Sequence, residues 1–406
     1  MRILQVNCVY KQGSTGKIVA CISDELIAKG HDVLVCYGTG GSNYDDHSIK
    51  VCSGLEHKLN AVFGRLFGIP FGGIYLSNYR IMKAIREFRP DIVHVHCVNG
   101  YMVNVYKLLQ KLAKYHIKTV LTLHAEIFHT AGCEHACECE KWKTQCSNCH
   151  NYKEIVGSWF FDRSKTSWMK MYKAVNSYDH RDLIITAVSP WLTERAKHSA
   201  IMNRYQVECV MNGLDISVFH YRENKCLIDK KGYDKVVLFV TPYFGLEKND
   251  IKGGRYIVPI ASALPHFKFV VVAGRISGAV HNFPANVQIW GRAKSQEELA
   301  QFYSEADVTL LLSRRETFSM VTAESLCCGT PVVGFEAGGP ESISLHEYCH
   351  FVSYGVVNRL CDVIKDVYFS DLEKKTISMK ASKIYNSTLI ADKYKDIYLK
   401  MLRNNT

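Results

Sequence analysis

Glu316 and Glu324 stand with seven residues between them in the stretch 313–331, SRRETFSMVTAESLCCGTP. A run that reads as a buried strand (307–312) precedes the stretch, and a helix-like segment closed by Gly329-Thr330-Pro331 follows its first loop. The start of such a helix carries unpaired N–H groups and attracts phosphate. The backbone N–H groups of Phe318, Ser319 and Met320 are the donors at that point. A carboxylate on each side of it would accept hydrogen bonds from hydroxyls. A phosphate flanked by two polyols describes a sugar nucleotide. By spacing alone, two acids around a helix start also suit a solvated face.

Other residue types capable of chemistry fall at predicted strand ends. The runs DIVHVH (91–96) and LTLH (121–124) bring His94, His96 and His124 to the carboxyl edges of strands. Ligands of open α/β sheets bind there, although a strand-end histidine is often structural. Gly13 and Gly16 lie in GSTGK, after the first strand and at the opening of a helix read as 17–29. The segment fails the phosphate-loop pattern, having two residues between the glycines and Ile18 after the lysine. Close approach of backbone to a phosphate and a plain tight turn are both open. Cys133, Cys137, Cys139, Cys146 and Cys149 crowd into the insert 129–150, and Cys146-x-x-Cys149 has the spacing of a structural zinc pair. Cys133, Cys139, Cys146 and Cys149 are the candidate ligands, with free thiols or an oxidised pair as the alternatives.

The elements that would position these groups alternate. Strand-like runs at 3–9, 32–37, 92–96, 119–124 and 183–188 are separated by amphipathic stretches. A second series runs through 236–240, 269–273, 287–290, 308–312 and 331–335. This βαβα rhythm predicts parallel sheets covered by helices on both faces. The boundary between two α/β domains is placed in the polar stretch 215–234, which carries Lys225, Lys230 and Lys231. The predicted division is 1–215, 216–385 and a final helix, 386–406.

Taken whole, E-x7-E with F-S-M and the following A-E-S-L-x-x-G-T-P-V-V resembles the donor-binding signature of retaining glycosyltransferases of family 4 (GT4). These enzymes have the GT-B fold, two Rossmann-like doubly wound domains facing across a cleft. The resemblance spans nearly the whole chain and implies a role for each matching residue. Glu324 would bind the ribose, Glu316 the donor sugar hydroxyls, and Lys252, helped by Lys248, the diphosphate. His124 matches the family's T-x-H and would contact the donor sugar. Gly13 and Gly16 would lie against the donor phosphates and the acceptor, and Arg292 against the base. The cysteine-rich insert resembles a loop in a subset that includes surface-polysaccharide enzymes. Two departures stand out: Tyr243 and its neighbours replace the usual Gly-Arg before Lys252-Gly253, and Ala125 replaces the acid after His124.

Composition agrees with a folded two-domain chain: 406 residues, 47% hydrophobic and 22% charged. The sixteen cysteines suggest reduced thiols, with Cys8, Cys21, Cys36, Cys97 and Cys209 expected to be buried. Met1-Arg2 leads directly into strand-like sequence, from which a cytosolic protein is predicted. The net charge is +11, and residues 50–118 hold eleven Lys/Arg against three acids. That basic segment points to an anionic membrane surface or a phosphate-bearing acceptor; no nucleic-acid-reading motif accompanies it. The expected function is transfer of a sugar from a nucleotide-sugar donor to a saccharide acceptor, lipid-linked, in polysaccharide assembly. That chemistry needs no catalytic cofactor, and zinc would be structural. The alternative is a binding or scaffold protein descended from such enzymes.

Overall fold

The computed structural model describes residues 1–41, 45–223, 227–277 and 283–403. It forms two compact units, Met1–Gly213 with Thr388–Thr406, and Leu214–Ser387. The polar stretch 215–234 therefore belongs to the second unit; Lys225 within it lies outside the described residues.

The first unit holds β1 (Arg2–Val9), β2 (Asp32–Thr39), β3 (Ser48–Lys50), β4 (Ile92–Val95), β5 (Thr119–Leu123), β6 (Leu183–Ala187) and β7 (Val207–Cys209). Their order is β3-β2-β1-β4-β5-β6-β7, and every pairing is parallel. The second holds β8 (Lys235–Thr241), β9 (Phe267–Ala273), β10 (Val287–Gly291), β11 (Val308–Leu311), β12 (Val332–Phe335) and β13 (Cys349–Val352). Their order is β10-β9-β8-β11-β12-β13, again all parallel.

Central strands such as β5 and β6 are buried at every position, as a sheet covered on both faces requires. In the second unit, alternate residues Val237 and Phe239, Phe269 and Val271, and Val333 and Phe335 point into one core with Ile257, Ile260, Leu360 and Ile364. Each such side chain contributes roughly 1.5–3 kcal/mol by leaving water. In each sheet the strand order reverses once, between β1 and β4 and between β8 and β11. The crevices outside the carboxyl ends at those two points are where doubly wound sheets bind ligands.

Two sequence expectations need correction, the start of the first helix and the burial of the single cysteines. The first helix spans Gly13–Ala28, so GSTGK forms its first turn and is not a loop ahead of residue 17. The helix after β11 spans Met320–Cys327, as the stretch 313–331 suggested, with Glu324 as its fifth residue. Cys209 is exposed at the end of edge strand β7, and Cys8, Cys21 and Cys97 are only partly buried; Cys36 is buried. The last helix, Ser387–Arg403, buries Tyr394, Ile397, Tyr398 and Met401 and pairs Asp392 with Lys29 at 2.7 Å. Among the described residues no helix is long and apolar enough to cross a membrane.

Candidate active site

The second unit gathers its polar groups at the β8/β11 crevice. The loop after β8 ends in Lys252-Gly253, and Gly253 has φ +74°. A Cβ on Gly253 would lie 2.1 Å from the Leu312 carbonyl oxygen, so only glycine lets this loop press against the end of β11. The Ile251 carbonyl accepts the Arg314 N–H at 2.8 Å across the same contact. Lys252 is thereby held with Nζ 2.6 Å from Glu316 Oε1, to which Ser313 Oγ also donates at 2.8 Å. The Glu316 backbone is fixed in turn: its N–H donates to Ala337 (3.0 Å) and its carbonyl accepts from Gly339 (2.9 Å). Lys252 is 29% and Glu316 15% exposed. A pair this accessible adds no more than about 1 kcal/mol of stability. Its placement at the crevice matters more than its strength.

Phe318 is buried, and Ser319 follows with φ +80°. A non-glycine residue in that region costs about 1–3 kcal/mol and marks sites where backbone conformation serves a ligand. Ser319 Oγ accepts the Thr322 N–H at 3.2 Å and caps the helix that Met320 begins. One turn on, Glu324 Oε2 accepts from the Tyr303 hydroxyl at 3.0 Å. Burial, and then the Glu324 charge, hold that phenol well above its ordinary pKa, so it remains a donor.

Lys248 is exposed, and its carbonyl accepts from the Arg255 guanidinium. Arg292 is also exposed, just beyond β10. Tyr243, in place of the family's arginine, donates to Glu247 at 3.0 Å. The sequence pattern did not single out Arg275, at the end of β9. Its N–H donates to the Pro242 carbonyl (3.0 Å) and its own carbonyl accepts from Phe244 (2.8 Å). An exposed guanidinium-bearing residue therefore stands beside the strand end that lacks one. Only strand adjacency, which β8 and β9 pairing supplies, reveals this.

The first unit concentrates histidines at the ends of β4 and β5, beside β1. His94 and His96 are fully buried, with ring centroids 3.7 Å apart. His94 bridges the Tyr398 hydroxyl and Thr122 Oγ1, both at 2.6 Å. His96 bridges Gln5 Oε1 at 2.7 Å and His124 Nε2 at 3.2 Å. Burial drives His94 and His96 well below the usual imidazole pKa and takes His124 to about 4, so all three are neutral around pH 7. His124 lines a small cavity with His96, Asn99, Ile127 and Phe128. A wider groove shares Asn99 and Ile127 and adds Arg65, Tyr101 and Glu134. Gly13 takes φ +62° at the helix start, and a Cβ on Gly16 would lie 3.3 Å from the Tyr10 carbonyl carbon. These glycines therefore have a local reason in a tight turn and a close helix–strand contact.

The acid missing after His124 has a nearby counterpart in Glu126, but this carboxylate faces inward. It is fully buried and accepts from Arg195 Nε (2.6 Å) and the Ala136 N–H (2.7 Å). In the insert, Cys133 and Cys146 are largely shielded and their thiol pKa values are raised, first by burial and then by neighbouring cysteines. Cys149 is half-buried and Cys139 exposed. Among the described residues no group of three or more His, Cys, Asp or Glu is arranged to hold a metal ion. The four candidate thiols do not form a ligand set as they stand.

Comparison with known proteins matches two family models in chain order. Residues 15–218 match Glycosyltransferase Family 4 and residues 236–368 match Glycosyl transferases group 1. The N-acetyl-alpha-D-glucosaminyl L-malate synthase of Bacillus anthracis is 21% identical over 98% of this chain and 97% of its own. A candidate colanic acid biosynthesis glycosyl transferase, WcaC, of Escherichia coli (strain K12) is 26% identical over 38% of this chain and 42% of its own. Among solved structures, the sucrose-phosphate synthase of Thermosynechococcus elongatus superposes with TM-score 0.70 at 16% identity, covering 99% of both chains. HepE of Anabaena in complex with UDP gives TM-score 0.64 at 14% identity, covering 98% of this chain and 100% of that one. Two parallel doubly wound sheets and family matches over both halves lead to one conclusion: the chain belongs to glycosyltransferase family 4 and has the GT-B fold.

Proposed function

We propose that this glycosyltransferase is retaining and uses a nucleoside diphosphate sugar. The observation that carries the proposal is Lys252, Glu316 and Ser313 meeting at the β8/β11 crevice, beside the N-terminus of the helix Met320–Cys327. Lys252 supplies positive charge for a diphosphate, and the backbone N–H groups of residues 318–320 supply donors. Glu316 accepts from hydroxyls of the donor sugar and Glu324 from the ribose. Arg275 contributes the planar guanidinium that Tyr243 cannot, with Lys248 as a mobile second cation. Arg292 lies against the base. HepE of Anabaena, which shares the fold, has been crystallised with UDP-glucose, and that supports this donor class.

In the reaction, the bond from the anomeric carbon to the diphosphate breaks and a bond to an acceptor oxygen forms on the same face. The acceptor proton passes to the departing diphosphate oxygen. Such chemistry depends on positioning and on stabilising charge that develops on the leaving group, and it needs no separate base. His124, neutral and half-buried, meets the donor sugar, and Gly13 and Gly16 form the turn on the acceptor side. The groove containing Arg65, Tyr101 and Glu134 presents hydroxyl-binding groups to a saccharide acceptor. We place that acceptor on a lipid at the inner face of a membrane, in polysaccharide assembly. A structural zinc on Cys133, Cys139, Cys146 and Cys149 would require the insert to draw these thiols together from their present positions; stoichiometric zinc lost on Cys146→Ser supports it, and metal-free protein removes it.

One observation favours a second reading, a donor-binding protein without turnover: the strand end that should carry an arginine has Tyr243. Binding and turnover of nucleotide sugars by wild type and Glu316→Ala distinguish the two. Turnover lost in the variant supports the enzyme, and binding without turnover in both supports the scaffold.

A further inference from the structure

Two thiols meet where β1 and β4 end, at the strand-order reversal of the first unit. The parallel pairing runs from Ile3 beside Ile92 to Val6 beside Val95. Two residues further on, the Cys8 N–H donates to the Cys97 carbonyl at 2.6 Å. The Cys97 N–H donates to Asn7 Oδ1 at 3.0 Å, which fixes the second backbone against the first. Neighbouring strands lie about 4.8 Å apart, within the range of about 4.4–6.8 Å between Cα atoms that a disulfide spans. The side chains face each other, since a hydrogen bond links the two sulfurs. Both cysteines are free and partly exposed. That bond, joined by one from Thr15 in the first turn of the first helix, outweighs burial and lowers the Cys8 pKa. The same bond, with burial, pushes Cys97 well above the ordinary thiol value. Burial instead raises Cys36, Cys146, Cys327 and Cys349, each to about 12. Cys8 is therefore a nucleophilic thiol with a protonated partner beside it.

We propose that Cys8 and Cys97 are an oxidation site, in which Cys8 reacts first and Cys97 closes a reversible disulfide at the β1/β4 crevice. A peroxide is the oxidant. The Cys8 thiolate forms a bond to one peroxide oxygen, the O–O bond breaks, and the hydroxide released takes up the Cys8 proton as water. The Cys8 sulfur is oxidised by two electrons to the sulfenic acid, and the peroxide is reduced. Cys97 then attacks that sulfur: the S–S bond forms, the S–O bond breaks, and the leaving hydroxide takes the Cys97 proton as a second water. In the reduced protein the Cys97 sulfur lies 2.6 Å from Asn99 Oδ1. Asn99 also donates to Glu134 at 3.1 Å and lines both the His124 cavity and the wider groove. Disulfide formation withdraws the Cys97 sulfur from Asn99 and so reshapes a wall common to both. The consequence for sugar transfer rests on the reading of those cavities as substrate sites; the disulfide does not.

The test is thiol mapping by mass spectrometry on the full-length protein, reduced and then exposed to hydrogen peroxide, with remaining thiols alkylated before digestion. The expected wild-type product is a peptide pair joined through Cys8 and Cys97. It should form ahead of any pair in the insert 129–150 and disappear on treatment with dithiothreitol. Cys97→Ser removes the resolving thiol and should leave Cys8 as a sulfenic acid captured by dimedone. Cys8→Ser should leave Cys97 unoxidised under the same treatment. The wild-type map needs no variant, so it decides the matter even where a variant fails to fold. Peroxide-treated wild type in which Cys8 and Cys97 stay unjoined overturns the proposal. Dimedone capture at Cys97 in Cys8→Ser, with none at Cys8 in Cys97→Ser, overturns it as well. Turnover of nucleotide sugars is followed on the same reduced, oxidised and re-reduced samples. A loss of up to about 10²-fold on oxidation, restored by dithiothreitol and absent in Cys8→Ser, supports control of transfer through this pair. A joined pair with unchanged turnover supports the oxidation site and rejects that control. Joined thiols in a protein that turns over no donor count against the sugar-transfer reading and leave the site standing.

Discussion

Removing Arg195 should expose how much of the first unit depends on one buried charge. Glu126 has no solvent exposure, and burial by itself would raise its pKa. Hydrogen bonding from His129, the charges of His129 and Arg195, and the Ala136 N–H overcome that and bring it from 4.5 down to about 2. Each pKa unit is worth 1.36 kcal/mol, so the depression corresponds to about 3 kcal/mol of stability. That sum is shared, with His129 contributing ahead of Arg195; breaking a buried ion pair from one side costs about 3–5 kcal/mol. The folded pKa is depressed, so the contribution is complete above the unfolded value and is lost as pH falls from about 4.5 toward 2. Arg195→Met is expected to cost about 3 kcal/mol at neutral pH. Its deficit should shrink toward about pH 4, because the orphaned carboxylate takes up a proton there. Urea denaturation followed by tryptophan fluorescence suits this unit, since Trp142, Trp159, Trp168 and Trp191 lie in it and only Trp290 in the other. Adding Glu126→Gln to the variant should restore part of the loss by removing the unpaired charge. A deficit below about 1 kcal/mol, or one that does not change with pH, would refute the reasoning.

Three further outcomes are expected. Gly253→Ala places a methyl against the Leu312 carbonyl and strains a left-handed backbone; donor affinity should fall with Lys252, and calorimetry should register a cost of about 1–3 kcal/mol or more. Arg275→Met should lower kcat by about 10²-fold if its guanidinium offsets charge on the leaving diphosphate, whereas unchanged kinetics would return that role to Lys248. Leu55, Leu59 and Val62 are exposed on the helix Gly54–Phe67, within the basic segment. Replacing them by serine, or neutralising Lys107, Lys111 and Lys114, should release the protein from anionic liposomes in sedimentation; retention by both variants ends the membrane proposal.

The sequence carried the sheet rhythm because β6 and β8 are mostly apolar runs, and the stretch 313–331 because its residues are contiguous. It missed β3 and β13, whose three and four residues at sheet edges leave little periodic signal. Helix starts shifted for local reasons: Gly13 turns the chain with a positive φ, so the first helix begins four residues before the apolar pattern does. What stayed hidden was distant partnership. Glu126 and Arg195 are 69 positions apart, Gln5 and His96 are 91, and Arg275 reaches the β8 edge only through strand pairing. Residue types at a site are visible in a sequence when one loop supplies them, and invisible when register brings them together.

The central claim concerns Glu316 and Lys252, and turnover of a panel of nucleoside diphosphate sugars tests it most directly. Wild-type protein should hydrolyse or transfer from at least one donor. Glu316→Ala, whose pair with Lys252 adds little stability, should fold with the wild-type circular dichroism spectrum and lose that turnover by about 10²-fold or more. A folded Glu316→Ala protein with wild-type kcat would contradict the account, as would a wild type that binds nucleotide sugars and turns none of them over.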